Sequence, residues 1–573
     1  MPVHAVPTLL PMPRVAADRR LALWLATAWA LAVGASLATR SLAPLDETRY
    51  VAVAWQMWQR GDFVLPWLAG APYSHKPPLL FWLIHAGWAV FGVVEWWPRL
   101  ISPLASLAAI GLVVRLAGRL WPDDAGVPAR AAVMLFASAL WLLMSTATMF
   151  DILLAVFVLL GVAGLWSAAT ALPAARHRGW ALVALAIGGG LLTKGPVVLL
   201  HLLPLMLSVR WWAPARVDGA RWSVGLAAAI AAGAAIALAW AAPAGMRGGE
   251  AYRDAILWGQ TSGRLVEAFA HARPWWWYLP VLPAVAFPWL LWPAGWRAGR
   301  ALAAGPRDAG VRLLVAWIGS TFVALSLISG KQAQYLLPLL PAAALLLARG
   351  LGRCPPRQGQ GAWPAAASMA LVGVAVLGAP AWAGRVGAAP WLSGLPWWAA
   401  VAALAAALLA LGERGAARPG AARASRAPAR APWRLASAAV LFVAGLQAGV
   451  FVAAGTAYDA RPMGERLGTL QRAGVALARV GLDDHGSFDF AGRLRVPLAA
   501  VEPTGLGAWF QAHPDGVALW RLPPQDDDAG RAARARQFWR GQMLVLIDAT
   551  QWPAWADRAA AGPGPETARQ RLR

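Results

Sequence analysis

Cysteine is all but missing from this chain: Cys354 is the single one in 573 residues, which excludes an intrachain disulfide and any cysteine-built metal or iron–sulfur site. Charge is scarce too, at 14% of residues against 59% hydrophobic ones. Lysine is scarcer still, with Lys76, Lys194 and Lys331 the only three among 51 basic side chains. A mean hydropathy of +0.51 and 36 tryptophans exceed what a soluble core needs and indicate a polytopic membrane protein. The formal charge of +24 raises the question of nucleic acid. The arginines, however, lie in short loops between apolar runs, where they orient a chain against a membrane, so nucleic-acid binding is discarded.

Apolar runs at 21–42, 97–118, 129–149, 151–172, 222–243, 275–296, 311–328, 332–349, 363–384, 395–412 and 435–455 are long enough to span, or nearly so. The stretch 179–209 is too long for one span and is interrupted by Thr193-Lys194-Gly195-Pro196, so it reads as two short helices meeting at a turn. The expectation is an all-α bundle of about 13 spans, residues 1–455, followed by a more polar C-terminal domain, residues 456–573, of mixed α/β type with a strand at Met543–Ile547. Arg19-Arg20 and the small residues near Gly34-Ala35-Ser36 give the first run features of a cleaved signal, whose removal would leave the orientation of the rest unchanged.

Orientation follows from the arginines. The run 79–92 holds His85 and is short for a crossing of roughly 20 residues. If it lies along the interface, the loops bearing Arg115, Arg119 and Arg130, Arg176 and Arg178, Arg210, Arg216 and Arg221, and Arg297, Arg300, Arg307 and Arg312 share a side with Arg19 and Arg20, as does the linker 413–434. That side is then cytoplasmic. Lys76, Lys194 and Lys331 fall on the outer side, against the prevailing rule, together with Asp46, Glu47, Asp62, Asp151, Arg253, Arg264, His271 and Arg273. One such lysine is explained by snorkelling. Three of them with carboxylates describe a polar pocket at the outer membrane surface.

The first outer loop, Asp46 to Gly61, has apolar positions at helical spacing and reads as a helix lying on the membrane. Favourable charge at a helix N-terminus accounts for one of Asp46 and Glu47. Two carboxylates, with Asp151 opening a later apolar helix, exceed what capping requires. Lysine and arginine hold phosphate oxygens while a carboxylate accepts a proton or stabilises developing positive charge, so the set suits group transfer from an anionic lipid. The tryptophan pairs and triplet at 96–97, 275–277 and 397–398 read as interfacial belts, with sugar stacking as the other use.

DETRY at 46–50, GDFVLPWLAGAPYSHKPPLLFW at 61–82, EWWPRL at 95–100, Met149-Phe150-Asp151 before ILL, LLTKGP at 191–196, HARPWWWYLP at 271–280, Pro288-Trp289 and SGKQAQYLLPLLP at 329–341 follow one another in this order. This ordered set resembles the family 39 glycosyltransferases, which include lipid A aminoarabinose transferases and protein O-mannosyltransferases. The resemblance covers roughly residues 20–350. It implies a GT-C fold in the bacterial inner membrane, with a periplasmic active site fed by a polyprenyl-phosphate sugar.

By motif match it makes Asp46 the catalytic carboxylate, with Glu47 beside it and Asp151 as a second acid in the cavity. Lys76 becomes a donor-phosphate ligand, joined by Lys194, Arg253, Arg264 and Lys331. Arg49, Tyr50, Tyr73, His75, His271 and Tyr335 line the substrate cavity. His75 stands where aminoarabinose transferases commonly carry Glu before Lys-Pro-Pro, which leaves the sugar open. His75 and His271 with Asp46 or Asp151 are candidate ligands for a divalent ion; no other cofactor is called for. The expected acceptor is lipid A or a related envelope glycolipid, within a sheath of membrane lipids. A protein O-glycosyltransferase is the alternative enzyme, and a transporter or lipid flippase the alternative class. A transporter should place its charges near mid-membrane in repeated halves, whereas these lie at span ends and no repeat is visible.

Overall fold

The structure is a computed structural model. It describes residues 19–172, 175–259, 272–306, 308–354, 361–385, 389–412, 427–481, 486–522 and 533–555. Arg264 and His271, Arg307 and residues 413–426 of the basic linker lie outside the described residues. Among the described residues eight helices are long and apolar enough to cross a membrane, or nine if Val127–Phe136 and Ala139–Ser145, bent by 67°, form one broken span. The all-α bundle with a small C-terminal sheet is borne out; the count of about 13 is not.

The shortfall has local causes. The run 275–296 is not one helix: prolines divide it into Tyr278–Val285, a 3-10 turn at Trp289–Leu291 and Pro293–Ala304. Each proline removes a backbone donor and crowds the preceding turn. Helices Val197–Leu207 and Trp397–Leu411 are apolar but short. Tryptophans of the predicted belts show exposed faces, Trp275 and Trp397 among them.

The end of the bundle that the arginine pattern predicts to face outward, the outer end, is built by the first half of the chain. Helix α1 (Arg19–Thr39) leads through a short loop to α2 (Asp46–Arg60), which stops at Gly61. Gly61 has φ 64°, and its N–H donates back to Met57 and Trp58 carbonyls, a left-handed cap that glycine adopts without a Cβ penalty. A hairpin of β1 (Trp67–Leu68) and β2 (Ala71–Pro72) carries the chain to α3 (Leu79–Phe91) and α4 (Trp96–Leu120). The Arg99 guanidinium, near the start of α4, donates to the Ser36 carbonyl near the end of α1 at 2.6 Å. The chain therefore leaves α1 and enters α4 at the same end of the bundle, and α3 does not cross, as its length requires.

After α5 (Val127–Phe136) and α6 (Ala139–Ser145) comes α7 (Phe150–Thr170), which opens with Asp151 at this outer end; at its other end Arg119 of α4 donates to Ser167 at 3.3 Å. The expected turn at 193–196 is present: α8 (Arg176–Lys194) closes on Gly195 at φ 69°, and α9 (Val197–Leu207) follows Pro196.

The C-terminal domain sits on the outer end. It follows the helix Ala427–Ala454, whose Gln447 donates to Thr146 at 3.0 Å. Its mixed sheet comprises β3 (Leu477–Val480), β4 (Ala499–Val501), β5 (Val517–Leu522), β6 (Ala535–Trp539) and β7 (Gln542–Asp548), in the order β4-β3-β5-β7-β6. β7 contains the predicted strand and runs antiparallel to both neighbours. This domain changes one expectation. α2 does not lie bare on the membrane but is covered, with Tyr50 to Ala54 and Met57 all buried.

Candidate functional site

The first turn of α2 points two adjacent carboxylates in different directions. Glu47 is buried and fully engaged: both its oxygens pair with the Arg40 guanidinium, Oε2 accepts from Ala43 N at 2.7 Å, and Oε1 accepts from Thr148 N at 2.5 Å. Arg40 also donates to the carbonyls of Ser41 and Thr146. Glu47 thus ties the end of α1 and the start of α2 to the turn before α7.

Asp46 is 38% exposed at its side chain. It pairs with Arg49 and accepts from the Tyr50 hydroxyl at 3.1 Å. Burial and then the Asp46 charge push the Tyr50 phenol well above its ordinary value, so it stays a proton donor to the carboxylate. Burial opposes the Arg49 charge, but Tyr73, Tyr50 and Asp46 together outweigh it and raise its pKa.

Phe150 joins the two halves of the cluster. Tyr50 meets it edge-on at 4.9 Å between centroids, and Lys76 Nζ lies 5.9 Å from its ring centre. Next to it Asp151, only 2% exposed, accepts from Lys194 Nζ at 2.6 Å. Lys194 stands in the last turn of α8, and its ammonium lies 4.7 Å from the Tyr335 ring centre. Before Lys76, exposed His75 stacks on Tyr73 at 5.3 Å. Asp46, Arg49, Tyr50, Tyr73, His75, Lys76, Asp151, Lys194 and Tyr335 therefore gather at one end, from segments far apart in sequence.

Two predicted phosphate ligands have other partners. Lys331 is buried and its ammonium is committed to backbone, donating to the carbonyls of Arg273 at 3.1 Å and of Ile328. Arg253 is half-exposed near Glu250 and Asp254, at 3.6 and 3.7 Å, on the far part of the helix Gly219–Asp254. Neither is placed in the cluster by any contact. Among the described residues no three His, Cys, Asp or Glu side chains converge as a metal site, and His271 lies outside them. A small pocket lined by Ser41, Thr48, Glu95, Asp459 and Arg461 among others shares no lining residue with the cluster.

Sequence reasoning missed Arg40, the Thr146 carbonyl to which it donates, and the Thr148 N–H that donates to Glu47. A signal was available for Arg40, which closes the first apolar run on the outer side, against the charge rule. Nothing in the sequence marks a threonine N–H as the partner of a glutamate about a hundred residues earlier in the chain.

Comparison with known proteins puts names to this arrangement. The family of dolichyl-phosphate-mannose-protein mannosyltransferases matches residues 75–246, a span that holds His75, Lys76, Asp151 and Lys194. The undecaprenyl phosphate-alpha-4-amino-4-deoxy-L-arabinose arabinosyl transferase 1 of Pseudomonas fluorescens is 32% identical over 53% of this chain and 52% of its own length. The corresponding transferase of Pseudomonas aeruginosa is 34% identical over 53% of this chain and 55% of its own. The chain thus spans about half the length of the curated relatives it matches.

The crystal structure of ArnT from Cupriavidus metallidurans bound to undecaprenyl phosphate superposes with a TM-score of 0.73 at 22% identity, over 93% of this chain and 99% of that one. Its apo form gives 0.74 at 21% identity, over 94% and 99%. The fold is shared along nearly the whole chain, C-terminal domain included, and the resemblance read from the motifs is borne out.

Proposed function

We propose that this protein is an integral membrane glycosyltransferase that moves a sugar from a polyprenyl phosphate to lipid A or a related envelope glycolipid at the periplasmic face of the inner membrane. The observation that carries the reading is the convergence of Lys76, Lys194 and Arg49 with Asp46 and Asp151 at one helix-end surface. Three cations beside two carboxylates match a departing lipid phosphate and an incoming nucleophile. The relatives' names support the donor class, undecaprenyl phosphate carrying 4-amino-4-deoxy-L-arabinose, while the acceptor is the one that the motif resemblance implies.

In the proposed reaction an acceptor oxygen attacks the anomeric carbon from the face opposite the phosphate. The C–O bond to phosphate breaks, its electron pair leaves with the lipid phosphate, and configuration inverts. Lys76 neutralises the leaving phosphate as a compact point charge. Lys194, oriented by Asp151, adds a second positive charge, and Asp151 serves through it as a positioning residue. Asp46 takes the acceptor proton when the acceptor is a hydroxyl. When the acceptor is an ionised phosphate there is no proton to take, and Asp46 acts electrostatically with Tyr50 and Arg49 fixing its orientation.

The family name matched over residues 75–246 keeps protein O-mannosylation as the second reading. A transporter is disfavoured because the charges gather at helix ends and pair there. Mass spectrometry of lipid A and envelope glycans from a deletion strain against wild type decides. Loss of a sugar from lipid A supports the first reading, loss from glycoproteins alone supports the second, and unchanged glycans from both would end the transferase reading.

A further inference from the structure

The stretch that presents Lys76 is held from outside the bundle. The β1–β2 hairpin turns through Ala69 and Gly70, at φ 51° and 82°. Two positive φ values suit a tight hairpin, but alanine adopts them only against a steric penalty. Something must hold this turn, and the side chain that does so is Gln56 of α2. Its Oε1 accepts from Gly70 N at 3.3 Å, while its Nε2 donates to Asp489 Oδ2 of the C-terminal domain at 2.7 Å. Gln56 and Asp489 are both buried. A primary amide has one acceptor end and one donor end, so Asp489 fixes which way Gln56 faces and so keeps its oxygen on the hairpin.

The domain also touches the hairpin directly. A Cβ on Gly70 would lie 3.3 Å from Pro497, and one on Gly486, at φ 72°, would lie 2.7 Å from Leu68 and 3.2 Å from Ala52. Around this point the segment 488–494 is wedged into the bundle. Phe490 stacks on Trp88 at 5.5 Å, and Trp55 and Gln59 donate to the Leu494 carbonyl at 2.9 and 3.0 Å. Five and six residues past Gly70, His75 and Lys76 are reached through Tyr73, whose N–H donates to the Pro66 carbonyl at 2.8 Å, and the following prolines restrict the backbone at Lys76.

We propose that the C-terminal domain completes the phosphate site: Asp489, acting through the Gln56 amide, is a positioning residue for the hairpin that leads to Lys76. The inference rests on the donor-phosphate reading of Lys76 given above. It makes the domain part of the donor site, not a separate module for the acceptor.

The test uses the full chain in nanodiscs, with Asp489→Ala, Gln56→Leu and Asp489→Asn, the last of which retains an acceptor oxygen. Two quantities are measured: hydrogen exchange of the amides in residues 67–77, and affinity for undecaprenyl phosphate. Asp489→Ala and Gln56→Leu should each speed exchange at Gly70 and Tyr73 and weaken binding by about tenfold, the scale of one hydrogen bond to a charged group. Asp489→Asn should recover most of both. In a Lys76→Ala background, Asp489→Ala should produce no further loss of affinity, because its effect passes through Lys76.

Unchanged exchange in Asp489→Ala overturns the proposal, as do additive losses in the double variant, which would mean a general loss of packing. If the wild-type protein does not bind undecaprenyl phosphate, the donor reading falls. The exchange arm then still decides whether Asp489 holds the hairpin.

Discussion

The two ends of the bundle both gather charge and put it to different use. Away from the C-terminal domain, Asp308 caps the helix Ala309–Leu327 through Val311 N at 2.8 Å, accepts from Trp121 at 3.0 Å, and pairs with Arg353 at 2.9 Å. Asp124 takes Arg130 through both oxygens at 3.0 Å, and Arg349 reaches Asp123 at 3.2 Å. Each of these acids faces an arginine, whose planar fork suits a carboxylate, and the network closes on itself. At the outer end Arg40 and Glu47 form a pair of the same kind. Beside it, however, stand two lysines and a carboxylate, Asp46, that is more than one-third exposed. A saturated network fastens helix ends together; a pair left partly exposed beside one, as Asp46 and Arg49 are, can be reached by a ligand.

Breaking the saturated pair at the outer end should have the largest effect. Glu47→Gln leaves Arg40 buried without its countercharge, which costs about 3–5 kcal/mol. Thermal unfolding in detergent should show a sharply lowered midpoint together with lost transfer. Asp46→Asn, one residue away, should separate these effects: turnover falls by about a hundredfold or more while the unfolding midpoint stays near wild type. Equal midpoints for the two variants would erase the distinction between scaffold and site.

At the other end Asp308→Asn should cost about 1 kcal/mol, as expected for a partly exposed network. The protein that remains folded should keep its turnover, as assayed after a heat challenge.

The smallest effect concerns His85 of α3, which burial pushes down to about 4 while its Nε2 bonds the Ala54 carbonyl at 2.9 Å. An unfolded chain takes up this proton as pH falls through 6.5, whereas the folded one does not until about 4. Stability from this group is therefore present above 6.5 and lost as pH falls across that window. His85→Asn should flatten the fall of the unfolding midpoint over the same range.

Much of this comparison was legible in the sequence, and the illegible parts have a common cause. The break at Gly195-Pro196, the cap at Gly61 and the strand in β7 follow from local rules of backbone geometry and side-chain period, which act over a few residues. The joining of Lys76, Asp151 and Lys194 was legible only through charge placement and ordered motifs. Glu47 looked like Asp46 because the two share a helix turn and a charge; their different environments come from Arg40 and Thr148, which no local rule brings to one of them alone. Lys331 likewise carried the right charge in the right loop, yet backbone carbonyls claim its ammonium. The division of 275–296 was foreshadowed by its prolines, which hydrophobicity outweighed. The cover over α2 arrives from residues more than four hundred positions later, and periodicity contains no trace of it.

The central claim is that the outer cluster is a lipid-phosphate site in which Lys76 holds the phosphate and Asp46 serves the reaction. The most direct measurement is the affinity of undecaprenyl phosphate for wild type, Lys76→Ala and Asp46→Asn in nanodiscs. Loss of one charge-assisted phosphate contact predicts binding about ten- to a hundredfold weaker in Lys76→Ala. Asp46→Asn should bind as wild type does, or more tightly, because a negative charge has been removed from beside the phosphate. Equal affinity in wild type and Lys76→Ala, or weaker binding in Asp46→Asn alone, would contradict the account.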